Sequence, residues 1–213
     1  MRKLAIVMLV ILIISMSLNV SLAATIGEKN ALSSANSYLN YTAFSKQGLI
    51  KQLKYEGYTE LEAEYAVENI SVDWKEQAVR SAKKYLEYTS FSNSGLVKQL
   101  IYEGFTKEEA EYGVANVNSN QEDQALKTAQ NHLKLTAFSY NGLVKQLVYE
   151  GFSENEAKKA ADSCGADWNE QAAKAAQNYL GFMSFSRSGL IDQLKYDGFT
   201  QKQAEYGVKM NGY

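Results

Sequence analysis

The sequence contains no proline and only one cysteine, Cys164, and one histidine, His132. Without proline there can be no collagen-like or polyproline segment. A lone cysteine cannot close an intrachain disulfide or supply a cysteine-rich zinc site. A single imidazole leaves no multi-histidine metal site, and any Ser-His-Asp triad would have to be built on His132. Charge of one sign is also lacking. The formal net charge over 213 residues is -2, so bulk electrostatics offers nucleic acid no attraction. What is present is enough apolar sequence for a packed protein: 46% of residues are hydrophobic and 22% charged.

The opening segment reads as an export signal. Arg2 and Lys3 precede an unbroken apolar run from Leu4 to Ile14, and Ser21-Leu22-Ala23 supplies small residues for cleavage after Ala23. The run is shorter than the roughly 20 apolar residues that span a bilayer. The rival expectation is an uncleaved signal that holds the chain at the membrane. No cysteine follows the small residues, so a lipobox cysteine is absent. Removing the leader takes away Arg2 and Lys3 and makes the net charge more negative, from -2 to -4.

The remainder is one unit written four times. FSKQGLIKQLKYEGYT from Phe44 recurs as FSNSGLVKQLIYEGFT from Phe91, FSYNGLVKQLVYEGFS from Phe138 and FSRSGLIDQLKYDGFT from Phe185. The spacing is 47 residues each time, without insertion or deletion. A fixed period in this range marks a reused supersecondary unit. The expected division is a signal over 1–23 and repeats over 24–72, 73–119, 120–166 and 167–213.

Each unit predicts three helices, giving an all-α fold of four tandem three-helix repeats. The first helix carries Ala31, Ala35, Tyr38 and Leu39 as one stripe, with His132 in the tyrosine slot of the third copy. The second follows an N-capping serine (Ser45, Ser92, Ser139, Ser186) and stops at Gly57, Gly104, Gly151 or Gly198. The third opens on a capping box such as Thr59 with Glu62. The short link between the second and third helices predicts a helix-turn-helix in every unit. Gly48, Gly95, Gly142 and Gly189 lie inside the second helix at a cost of about 1 kcal/mol each relative to alanine. Close approach of another helix is the expected reason. Ala66, Gly113, Ala160 and Gly207, small at matching positions, point to a tight crossing.

The shared 16-residue run resembles the Ltp-like helix-turn-helix repeat of the host cell surface-exposed lipoproteins of Gram-positive bacteria and their temperate phages. The resemblance extends over all four units. It implies a helical repeat displayed outside the membrane and, in prophage-encoded members, superinfection exclusion through contact with a phage injection component. Family lipoproteins carry a lipid-modified cysteine after the signal; this chain has Ala23-Ala24 there.

DNA reading by the helix-turn-helix is disfavoured by charge. The would-be recognition helix TELEAEYAVEN carries Glu60, Glu62, Glu64 and Glu68 and no basic residue. No catalytic, metal or cofactor-binding residues are assigned, because no nucleophile–base set or acid pair stands outside the repeat, and the chain reads as a binding protein and not an enzyme. The candidate partner-binding residues are Glu56, Glu103, Glu150 and Asp197 with their neighbours Tyr55, Tyr102, Tyr149 and Tyr196. A carboxylate at a helix C-terminus opposes the dipole. A salt bridge to lysine and a row of acids facing a basic partner are both open explanations. The expected partner is a protein outside the cell, either a phage injection component or an envelope component. The alternative function is an adhesive or envelope-binding module without a phage role.

Overall fold

The computed structural model describes residues 23–213; the predicted leader lies almost wholly outside the described residues. Among these residues there are twelve α-helices and no strand. They fall into four triplets. Unit 1 holds α1 (Ile26–Tyr41), α2 (Lys46–Tyr55) and α3 (Glu60–Asn69). Unit 2 holds α4 (Trp74–Tyr88), α5 (Asn93–Tyr102) and α6 (Lys107–Ala115). Unit 3 holds α7 (Gln121–Leu135), α8 (Tyr140–Tyr149) and α9 (Glu154–Ser163), and unit 4 holds α10 (Trp168–Phe182), α11 (Arg187–Tyr196) and α12 (Gln201–Met210).

Local chemistry sets the helix ends. In all four units the serine hydroxyl before the second helix accepts from the glycine N–H three residues on, as in Gly48 N to Ser45 Oγ at 2.9 Å. The third helices start on complete capping boxes at Thr59, Thr106, Ser153 and Thr200. Thr25 and Glu28 form a further capping box on α1. The glycines that close the second helices have φ between 94° and 97°, the left-handed region that only glycine enters without strain.

Each unit buries its own core. The two leucines of the second helix, such as Leu49 and Leu53 or Leu143 and Leu147, are almost completely buried against alanines of the first and third helices. Alanine lets those two helices come close. In two units the crossing is closer still: a Cβ on Gly113 would lie 2.8 Å from the Ala78 carbonyl carbon, and one on Gly207 2.6 Å from the Ala172 oxygen. This is the tight crossing that the small residues predict, between first and third helices of one unit.

The glycines inside the second helix serve a different contact. A Cβ on Gly48, Gly95 or Gly142 would stand 3.4–3.5 Å from the backbone oxygen of Glu103, Glu150 or Asp197, each in the following unit. Among the described residues, Gly189, in unit 4, meets only its own unit. The same junction explains the capping serines. Ser45 Oγ donates to Glu103 O at 2.6 Å, Ser92 Oγ to Glu150 O, and Ser139 Oγ to Asp197 O at 2.6 Å. One hydroxyl therefore accepts from the N-terminus of one helix and donates to the C-terminus of another. It joins α5 to α2, α8 to α5 and α11 to α8, with opposite dipole ends facing.

The closing glycines report the same junction. A Cβ on Gly104 would lie 2.9 Å from Gln47 Cβ, whereas Gly57 has nothing within 4 Å, at a nearly equal φ. Gly57→Ala is expected to cost only the left-handed strain, about 1–2 kcal/mol. Gly104→Ala adds overpacking at the junction, about 1–3 kcal/mol more. Urea denaturation of the two variants checks the difference.

Candidate functional site: clefts between the units

The docking of successive units leaves a repeated cleft. Between units 1 and 2 it encloses about 560 Å³, with Phe44, Gly48 and Lys51 facing Ser81, Tyr102 and Glu103. Between units 2 and 3 the corresponding residues are Phe91, Gly95 and Lys98 facing Thr128, Tyr149 and Glu150, around 390 Å³. The cleft between units 3 and 4 encloses 640 Å³ and is more apolar, with Phe138 facing Ala175, Phe182 and Asp197.

The four carboxylates selected from the sequence are not equivalent. Glu103 accepts from Tyr85 Oη at 2.7 Å and Gln99 Nε2 at 3.1 Å. Asp197 accepts from Tyr179 Oη at 2.8 Å and Gln193 Nε2 at 3.1 Å. In unit 3, Glu150 pairs with His132 Nε2 and Gln146 Nε2, both at 2.7 Å. His132 thus performs the tyrosine's task in its copy: it donates to the acid and packs edge-on against Phe138 as Tyr85 does against Phe91. Glu56 lies at the open end of α2; in its unit Gln52 Nε2 reaches Tyr38 Oη, at 3.3 Å. Three of the acids at these unfavourable helix ends, Glu103, Glu150 and Asp197, are held by a hydrogen-bonding ring and glutamine, not by lysine.

Burial, reinforced by the neighbouring carboxylate, raises the Tyr85 and Tyr179 phenols above their usual range. Protonation is favoured in the folded state, so this contribution is complete below about pH 10, the ordinary phenol value, and is lost as pH rises through the higher folded value. At neutral pH the wild type should melt above a Tyr85→Phe/Tyr179→Phe variant, which loses the hydrogen bonds to Glu103 and Asp197. The gap should close on the alkaline side of pH 10 in a thermal scan against pH.

The tyrosines beside the acids stand apart from these networks. Tyr55, Tyr102, Tyr149 and Tyr196 are 82–88% exposed at the C-terminal ends of the second helices. Tyr55 and Tyr102 both line the first cleft, and Tyr149 lines the second. A second exposed row, Tyr41, Tyr88, Leu135 and Phe182, ends the first helices. Sequence reasoning did not select this row, nor the phenylalanines and lysines across the clefts. A signal existed for the lysines: Lys51, Lys98 and Lys145 share a slot that becomes Asp192 in unit 4. Cys164 is half-buried, its thiol 3.2 Å from Ala161 O. Among the described residues, no three His, Cys, Asp or Glu side chains converge as a metal site, and no helix is long and apolar enough to cross a membrane.

The family model described as host cell surface-exposed lipoprotein matches at residues 27–70, 73–117, 120–163 and 167–210, one match in each unit. The chain belongs to this family. Membership carries a coarse functional statement, exposure at a cell surface. The solved structure of Ltp, a superinfection exclusion protein from the Streptococcus thermophilus temperate phage TP-J34, is 35% identical. That match covers 44% of this chain and 98% of that one, with a TM-score of 0.43. No curated protein matches.

Proposed function

We propose that the protein is a cell-surface binding array that engages a protein partner through its exposed tyrosines and the clefts beside them. The observation that carries the reading is the row of four tyrosines, at the same helix end in every unit, uncovered although each is a large apolar group. Tyrosine is a rigid anchor with few rotors and is enriched where binding energy concentrates. Repetition on one scaffold turns weak single contacts into avidity. The networks that hold Glu103, Glu150 and Asp197 support the same reading, because they fix a carboxylate beside three of the tyrosines. The mode of action is contact, without a catalytic step.

The family resemblance makes a phage injection component the leading partner, met outside the membrane, and superinfection exclusion the outcome. Expression in a phage-sensitive host tests this. Adsorption should be unchanged while entry of labelled phage DNA is blocked. Normal DNA entry across a phage panel, with retention of the protein on isolated cell walls, would instead indicate an envelope-binding or adhesive module.

A further inference from the structure

The three internal junctions leave two complementary ends unfilled. At one end, the Ser186 hydroxyl bonds, among the described residues, only to Gly189 N and Ser188 Oγ, and Ser186 is exposed, whereas Ser45, Ser92 and Ser139 are each 2% exposed. Among the described residues, a Cβ on Gly189 would meet only Ser186 and Phe185 of its own unit. At the other end, among the described residues, the Glu56 carbonyl at the C-terminus of α2 accepts no serine hydroxyl and a Cβ on Gly57 would meet nothing within 4 Å. These are the two halves of the contact that Ser45, Ser92 and Ser139 make with Glu103, Glu150 and Asp197.

We propose that the occupant of both ends is a second copy of this chain, docked head to tail, with Ser186 Oγ of one copy donating to Glu56 O of the next. The interface is continuous with the one already built inside the molecule. It is heterologous, so it adds copies in one direction and does not close into a dimer. Dipole ends of opposite sign meet there, as at the internal junctions.

The end-to-end contact lacks one element found inside the array. Gln124 and Gln171 accept from the backbone N–H of Phe91 and Phe138; Asn30 stands in that slot in unit 1 and is one methylene shorter. The first internal junction forms without that bond, using Arg80 to the Leu39 carbonyl and Lys84 to Thr42. Tyr213 Oη donates to Phe185 O at 2.6 Å beside the open serine. Association between copies is therefore weaker than docking within one chain, which also gains from tethering.

Sedimentation velocity of the purified protein tests the proposal. Species larger than the monomer should accumulate as concentration rises to about 1 mM, where a millimolar contact is half-filled. Ser188 is exposed and occupies the slot of Ser94, whose hydroxyl donates to Gly151 O across a junction. Ser188→Trp should block that end without changing the melting temperature, and it should reduce association at least tenfold. The variant keeps an open α2 end, so mixing it with wild type should yield capped heterodimers. A wild type that stays monomeric throughout, or a Ser188→Trp variant that associates alone as readily as wild type, overturns the proposal. Neither result depends on the identity of the surface partner.

Discussion

Replacing Leu147 with alanine is expected to remove about 2–5 kcal/mol from unit 3, the range for deleting a fully buried leucine side chain. Leu147 has no exposed surface, and the core around it combines alanines of α7 and α9 with Leu143 and Phe152, themselves fully or almost fully buried. The spread of the cost along the chain is the more informative part. The four cores are separate clusters, bridged only at their edges, as by Trp168 against the unit 3 core and Ala137 against the unit 4 core. In such an array stability approaches a sum of unit and nearest-neighbour terms. Hydrogen exchange should therefore show protection lost first in α7, α8 and α9, with α1, α2 and α3 nearly unchanged. Uniform loss along the chain would mean that the units unfold as one block.

The second large effect concerns the serines. Ser92→Ala removes an N-cap, worth about 0.5–2 kcal/mol. It also strips the Glu150 carbonyl of its hydroxyl donor in a site already nearly closed to water, adding about 1–3 kcal/mol. Ser186→Ala removes the same kind of cap and no inter-unit bond, so it should show the first cost alone. Chemical denaturation of the pair isolates the junction energy, because local sequence and helix position match. Equal losses would assign the serines to capping alone.

That comparison also shows how far the sequence could be read. The period, the three helices per unit, the serine caps and the capping boxes are legible because each depends on residues within a few positions of one another. The reason for Gly48 is only half legible. Glycine inside a helix signals a close neighbour, but whether that neighbour is a helix flank or the helix end at Glu103 in the following unit is decided by docking between units. The serine has the same limit: its N-cap role is local, and its second hydrogen bond is not. The site divides similarly. Tyr102 and Glu103 could be found by repetition, yet nothing local places Phe44 and Lys51 across from them. The hydrogen bond from Tyr85 to Glu103 crosses from one helix to the next, so the acid's support lies outside its own segment.

The most direct measurement is exclusion by a variant with Tyr55, Tyr102, Tyr149 and Tyr196 all changed to serine. These side chains are 82–88% exposed, so surface abundance and melting temperature should hold. Phage adsorption should remain as in the wild type, and labelled DNA should enter again. Full protection against DNA entry by a folded, surface-displayed variant of this kind would contradict the account.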